Sequence, residues 1–350
     1  MKQAYIIVSD VHLGGKECNY KEFCDFLEWI RDLANQPHIM KSKDIEIKIK
    51  CPDKIILLGD ILELWDPING DRDNVLKDCM KPFSLLSNID CDKIYVLGNH
   101  DDSLSKLNGK VTNETFDNGT RFYVYNMHYP EKDKASDIKS GLKIGTQSYF
   151  FLHGHQFDKQ QALIQVINEF WNPLGWFRTI FNVEFSKKYW KVNFVIFLGL
   201  LLVGKYFLWT TFLESSFYGN LVWAMITGLF ALSSIPGIVA HTQGSIYNYF
   251  LKPIDKTAEQ VIKDKYYHKN EETIDSNVIV FGHTHFASSH ELRSKTENKL
   301  FLNSGCWVGT DEEVNGKMRY VNTFIYLDES GAYILKWCGP GKINCIEAFT

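Results

Sequence analysis

Asp10-Val11-His12, Gly59-Asp60, Gly98-Asn99-His100-Asp101, His153-Gly154-His155 and Gly282-His283-Thr284-His285 are five short pieces, far apart in the chain, that carry carboxylate, amide and imidazole groups. Carboxylate and amide oxygens beside imidazole nitrogens suit Mn, Fe, Zn or Mg. Asp10 and His12 stand two residues apart, as do His283 and His285. In an extended segment each pair would face one side and could reach one ion. Glycine before Asp60, Asn99 and His283 permits close backbone approach to a crowded centre. Taken singly, each piece is common in chains that bind no metal, and a lone histidine more often fills a core or surface role. The five together point to a metal site.

Each piece stands at or just beyond a strand-like run. Tyr5–Val8, Lys54–Leu58, Lys93–Leu97 and Arg121–Met127 are expected strands, as are Asn277–Phe281, Lys299–Asn303, Tyr320–Leu327 and Ala332–Trp337 near the end. Tyr20 to Leu33 carries Phe23, Phe26, Leu27 and Ile30 at helical spacing. The alternation gives an α/β class. In open sheets of that class ligands bind at the carboxyl ends of strands, which is where Asp10, Asp60 and Asn99 fall.

In this order the five pieces resemble the calcineurin-like metallophosphoesterase superfamily, whose pattern D-x-H, G-D, G-N-H-[DE], H and G-H-x-H is present in full. The resemblance covers residues 1–160 and 275–310. It implies a β-sandwich flanked by helices in four αββα layers, and a hydrolase that uses two divalent ions. It also implies Asp10, His12 and His285 on one ion, Asn99, His153 and His283 on the other, and Asp60 bridging both. Two cations about 3.5–4 Å apart call for a shared anion in any case. Mn2+ is the expected ion, with Fe, Zn or Mg as alternatives. His100 is implied as the contact to the substrate phosphate and proton donor to the leaving oxygen. Glu63, three residues after Asp60, is implied as the carboxylate that orients it. The implied reaction is in-line attack of a metal-activated hydroxide on a phosphoester or pyrophosphate. Asn303-Ser304-Gly305 is similar to a turn that closes the site in relatives, and reads equally as an ordinary strand end. His155 is expected behind the ligands or against substrate. His38, His128, His241, His268 and His290 read as core or surface histidines.

Between the motifs the composition changes. From Ala162 to Trp190 aromatics alternate with Arg178, Lys187 and Lys188, an interfacial pattern. Val192 to Leu213 follows with Lys205 as its one charge, then Tyr218 to Ala240 with none. Each run spans roughly 33 Å as a helix, against about 30 Å of bilayer core. The expected organisation is therefore a catalytic domain of residues 1–160 and 270–350, interrupted by a helical insertion, 161–269, with a membrane hairpin at 192–213 and 218–240. Lys187, Lys188, Lys191, Lys252 and Lys256 flank the hairpin while Glu214–Gly219 has no Lys or Arg. The positive-inside rule then places the protein in the cell membrane, with the catalytic domain and both termini cytoplasmic. Lys205 would cost about 2.5–3.5 kcal/mol at mid-bilayer unless its stem reaches the interface. The alternative is an apolar hairpin buried in a homodimer or closing over the site as a lid.

A membrane-seated phosphohydrolase is expected to act on a lipid-linked phosphate or diphosphate or a nucleotide-lipid. The block Gly59-Asp60-x-x-Glu63-x-Trp65 and the helical insertion are similar to the UDP-2,3-diacylglucosamine pyrophosphohydrolases. His100, where typical members of that branch carry arginine, and the two full spans set this chain apart. One alternative is a general phosphodiesterase or phosphomonoesterase on soluble substrates, with the hairpin only an anchor. Another is a catalytically inactive membrane scaffold, against which the complete ligand set counts.

Bulk composition bounds the rest. The 350 residues suffice for one large domain or two ordinary ones. A net charge of -4 gives no basic field, so no nucleic-acid partner is expected. Eight cysteines without C-x-x-C spacing read as reduced cytosolic thiols. The start, Met1-Lys2-Gln3-Ala4, lacks the long apolar region of a signal peptide.

Overall fold

Along Ala4–Val8 every side chain is buried, which is what a strand packed on both faces demands. Ile6 and Val8 face one apolar cluster, Tyr5 and Ile7 another. This strand is therefore the centre of a layered structure. The computed structural model describes residues 3–42, 45–65, 79–101, 121–126, 128–130, 139–155, 274–293, 298–314 and 316–350, with a few positions within 67–115, within 191–199 and at 227–228.

The first sheet runs in the order Ile343–Phe349, Gly331–Trp337, Thr323–Asp328, Ala4–Val8, Lys54–Leu58, Asp92–Val96, Arg121–Tyr125, Glu114–Thr115. Ala4–Val8, Lys54–Leu58, Asp92–Val96 and Arg121–Tyr125 are mutually parallel, so their carboxyl ends share one edge. The second sheet has Gln147–Leu152, Val278–Phe281 and Asn298–Ser304 parallel at its centre. Ala287–Arg293 pairs antiparallel with the last of these, and Leu142–Ile144 and His128–Tyr129 with the first. Between the sheets, Tyr5, Ile7, Ile56, Leu58, Ile94 and Val96 pack with Tyr149, Phe151, Val278, Val280 and Leu302. Helix Tyr20–Asp32 buries Phe23, Cys24, Phe26, Leu27 and Ile30 over the far face of the first sheet. There Phe26 meets Trp307, Phe324 and Trp337 with ring centroids 4.8 to 5.6 Å apart.

Helix, sheet and sheet are three of the four expected layers. The helical layer expected beyond the second sheet lies outside the described residues, as does nearly all of the hairpin 192–213 and 218–240. Among the described residues no helix is long and apolar enough to cross a membrane. The chain divides into two compact units, Met1–Phe157 with Ile254–Thr350, and Asp158–Pro253. The sandwich belongs to the first.

Some expected boundaries shift. The strand expected over Arg121–Met127 ends at Tyr125, and the one expected from Tyr320 starts at Thr323, because Asn322 turns into the left-handed region with φ 57°. Gln147–Leu152, Ala287–Arg293 and Ile343–Phe349 are further strands that those expectations did not include.

Candidate metal centre

The carboxyl ends of both sheets' parallel strands deliver the five pieces to one place. Asp10 and His12 follow Ala4–Val8, Asp60 follows Lys54–Leu58, and Asn99 and His100 follow Asp92–Val96. His153 follows Gln147–Leu152, while His283 and His285 follow Val278–Phe281. Extended backbone is not what aims the paired residues, which corrects that expectation. Asp10, His12, Asp60, His283 and His285 all sit at positive φ, between 50° and 68°. Left-handed backbone is uncommon for non-glycine residues and concentrates at functional sites. The glycines are required by close approach. A Cβ on Gly59 would lie 2.3 Å from His153 Nδ1, and one on Gly98 would lie 2.2 Å from Asp60 Oδ1.

Among three groups of ligand-capable atoms within 4.8 Å of one another, two consist of the expected ligands, Asp10 with His12 and His285, and Asp60 with His153 and His283. Asp10 spends Oδ2 on the backbone N–H of His283 at 2.9 Å and on the Ser9 hydroxyl. Its Oδ1 is left facing His285 Nε2 at 3.3 Å. Asp60 accepts the His100 N–H on Oδ1 at 2.8 Å. Its Oδ2 stands 3.1 Å from His153 Nε2 and 3.9 Å from His12 Nε2, so one carboxylate oxygen faces an imidazole from each group. His153 Nδ1 lies 2.9 Å from the Leu58 carbonyl and His12 Nδ1 lies 2.8 Å from Glu63 Oε2. Both rings thereby turn Nε2 inward, the tautomer in which a metal ligand is held by the bond its other nitrogen makes.

Beside these groups, His100 Nδ1 lies 2.8 Å from Glu63 Oε1, and its ring stacks on Trp65 with centroids 4.6 Å apart. Glu63 thus lies against His100. Four residues that were assigned neither as ligands nor as catalytic groups hold the frame. Asp101 accepts hydrogen bonds from Ile61 N–H at 2.9 Å, Tyr95 hydroxyl at 2.7 Å and Gly98 N–H at 2.5 Å, tying two ligand loops together. Ser9 and Ser304 share a hydroxyl contact of 2.7 Å across the sandwich. Asn303 donates to the Gly282 carbonyl at 3.0 Å and to the Thr284 hydroxyl at 2.8 Å, bracing the loop that carries His283 and His285. Of these, Asn303 could be suspected from its turn and Asp101 from its place after His100; the Ser9–Ser304 contact leaves no local signal. His155 lies with its ring 5.5 Å from that of His153.

Without cations the site balances its carboxylates with protons. Burial resists charging His153, yet Asp60, Asp10 and the Leu58 carbonyl overcome it and push the ring up to about 10. His12 is raised against the same burial by its bond to Glu63 and by Asp60 and Asp10. Burial opposes ionisation of Asp60 as well, but His153, His100 and His12 hold it well below the usual carboxylate range; against the same burial, His285 and His153 lower Asp10. Asp101 goes the other way, to about 6, through burial and the neighbouring charge of Asp60.

The residues fit a pair of cations on one further count. Asp10 Oδ1, His12 Nε2, Asn99 Oδ1 and His153 Nε2 are all buried without a hydrogen-bond partner. The short approaches of Nε2 atoms to Asp60 and Asp10 lack hydrogen-bond geometry. Burying polar atoms unpaired costs about 1–3 kcal/mol each, so four in one place mark a site shaped for cations rather than for itself.

A two-sheet sandwich whose strand ends gather carboxylate, amide and imidazole ligands defines a metal-dependent hydrolase. The chain matches the calcineurin-like phosphoesterase family over residues 5–287, and it belongs to that family. It is accordingly a metal-dependent phosphoester hydrolase of a family that works with dinuclear metal ions. No curated protein matches the chain.

Proposed function

We propose that the chain hydrolyses a lipid-linked phosphate or diphosphate at a membrane surface, using two Mn2+ ions held by seven side chains. Asp10, His12 and His285 would hold one ion, Asn99, His153 and His283 the other, with Asp60 shared between them. The observation that carries the site is the set of four buried ligand atoms without hydrogen-bond partners, each on a residue of this assignment. When bound, the ions supply Lewis-acid stabilisation of phosphoryl oxygens and lower the pKa of water.

The chain's own residues do the rest. His100 stands beside the ligand groups, one-quarter exposed, where a substrate phosphate can reach it. It donates to a phosphoryl oxygen or returns a proton to the leaving oxygen, and Glu63 fixes the ring for that task. Trp65 covers one face of the ring and limits its rotation. Asp10 and Asp60 keep their negative charge in the buried site, which favours divalent cations over monovalent ones.

The lipid part of the reading is supported by the sequence: two long apolar runs, the first with Lys205 as its one charge, basic residues on their flanks and an aromatic segment before them. On this reading the catalytic unit lies on the cytoplasmic face, and the block Gly59-Asp60-x-x-Glu63-x-Trp65 is similar to that of the UDP-2,3-diacylglucosamine pyrophosphohydrolases. The test is hydrolysis by the full chain, with Mn2+ and detergent or vesicles, of a nucleotide-linked lipid diphosphate, a phospholipid and bis(p-nitrophenyl) phosphate. Preference for a lipid substrate by 100-fold or more in kcat/KM, about 2.7 kcal/mol, is expected. Equal or better turnover of the soluble ester, with the protein recovered from membranes, would leave the hairpin as an anchor only.

A further inference from the structure

Glu63 touches more than the histidine it was expected to orient. Its Oε1 lies 2.8 Å from His100 Nδ1 and its Oε2 lies 2.8 Å from His12 Nδ1, so one buried carboxylate holds two imidazoles. The two rings stand edge to face with centroids 4.6 Å apart. The carboxylate is itself fixed. Trp65 N–H donates to Oε1 at 3.0 Å, and Glu63 N–H donates to the Leu13 carbonyl at 2.9 Å, tying it to the loop that carries His12.

We propose that Glu63 is a shared positioning residue: through His12 it sets the affinity of one cation position, and through His100 it aims the group that meets the substrate phosphate. An imidazole that donates Nδ1–H to a carboxylate has its tautomer and ring plane fixed and its Nε2 made more basic, which strengthens a metal bond. Here the same carboxylate serves a ring in the ligand group and a ring outside it. Movement of either ring therefore strains the other. The inference rests on the reading of His12 as a ligand. The ligand atoms of His12, Glu63 and His100 also lie within 4.8 Å of one another, as a third cation site would require. The 2.8 Å contacts are ordinary hydrogen-bond lengths, however, and satisfy these groups without an ion.

Mn2+ binding to the full chain, followed by titration calorimetry and metal content, tests this in the wild type and in Glu63→Gln, His100→Ala and His12→Ala. The wild type is expected to bind two ions. Glu63→Gln should keep one at wild-type affinity and hold the other about 10–100-fold more weakly, while His100→Ala keeps both. Unchanged binding in Glu63→Gln, with one ion weakened in His12→Ala, overturns the shared role and leaves the ligand assignment standing. No change in His12→Ala overturns the assignment as well. Three ions in the wild type and two in Glu63→Gln would make the group a third cation site and overturn the inference. If Glu63→Gln fails to fold, the zinc-loaded wild type decides by nitrogen-15 NMR. Nδ1–H protons on both His12 and His100 are expected, and a His12 ring without one overturns the proposal.

Discussion

The loops Asp10–His12 and His283–His285 share a spacing and a left-handed backbone, yet they are held in different ways. The first is stitched backbone to backbone: Asp10 N–H to the Gly59 carbonyl at 3.0 Å, His12 N–H to Asp60 at 2.9 Å, Leu13 N–H to Ile61 at 2.8 Å, and Trp307 N–H to the Asp10 carbonyl at 3.0 Å. Asp10 and His12 are buried. The second loop leans largely on side chains, Asn303 and Asp10, and leaves the His285 side chain 29% exposed. Buried, cross-linked ligands are pre-organised and cost little to order when a cation arrives, whereas a half-open loop leaves room for substrate. The contrast predicts that the first loop governs cation affinity more strongly than the second, which stands at the more exposed side of the site.

The largest effect expected concerns the residue that faces both groups. Asp60→Asn removes the charge shared between the two sets of ligands, and kcat/KM on bis(p-nitrophenyl) phosphate should fall by at least about 10³-fold, roughly 4 kcal/mol. Activity within tenfold of wild type would mean that the two loops do not serve one centre. Next comes the contrast itself. His12→Ala should weaken one Mn2+ and also cost the metal-free protein about 1–3 kcal/mol of stability, because Glu63 loses a buried partner. His285→Ala should weaken Mn2+ at a smaller cost to metal-free stability than His12→Ala, because its ring is 29% exposed and water can reach the place it leaves beside Asp10. Equal stability losses in urea melts of the two variants would erase the distinction.

How much of this could be read from the residues follows from how local each signal is. The candidate ligands were legible because their chemistry is dense in short pieces such as Asp10-Val11-His12 and Gly282-His283-Thr284-His285. The strands under them were legible because buried parallel strands such as Ile55–Leu58 are uninterrupted apolar runs. Ala287–Arg293, with the sequence ASSHELR, shows no apolar alternation, and as an edge strand it needs little. The clamp by Asp101, the Ser9–Ser304 contact and the double hold of Glu63 depend on residues that meet only after the sheets pack. The reason the paired ligands converge was also misjudged from spacing alone, since strained turns do what extended backbone was expected to do. The hairpin expected from composition lies almost wholly outside the described residues.

Protonation offers a gentler probe of the same contrast. His153 is raised to about 10 in the metal-free site, against an unfolded value near 6.5. A raised imidazole lends stability that is fully present below about pH 6.5 and is lost as pH rises through about 10. The depressed carboxylates of Asp10 and Asp60 lend stability that is present above the ordinary carboxylate range and lost in acid. The metal-free protein should therefore lose stability steadily from pH 7 to 10, while the Mn2+ form, whose imidazoles are deprotonated on binding, should not. Mn2+ affinity should rise with pH over the same interval, with proton release visible as a buffer-dependent calorimetric heat. Parallel melting curves for the two forms would show that cations do not replace protons at His153 and His12.

The smallest effect expected is at the brace of the open loop. Asn303 is buried, and its amide holds the Gly282 carbonyl and the Thr284 hydroxyl while its Oδ1 accepts the Gly305 N–H at 2.9 Å. Asn303→Ala removes three hydrogen bonds, each worth about 0.5–1.5 kcal/mol net; the Gly282 carbonyl and the Gly305 N–H are buried, and only the half-buried Thr284 hydroxyl can turn to water. A net cost of about 1–2 kcal/mol is expected, with a rise in KM for a bulky substrate larger than any fall in kcat, because the loop that meets substrate loosens while the buried ligands stay put. If kcat fell instead with KM unchanged, His283 and His285 would be as rigidly required for the chemical step as Asp10 and His12, and the contrast between the loops would fail.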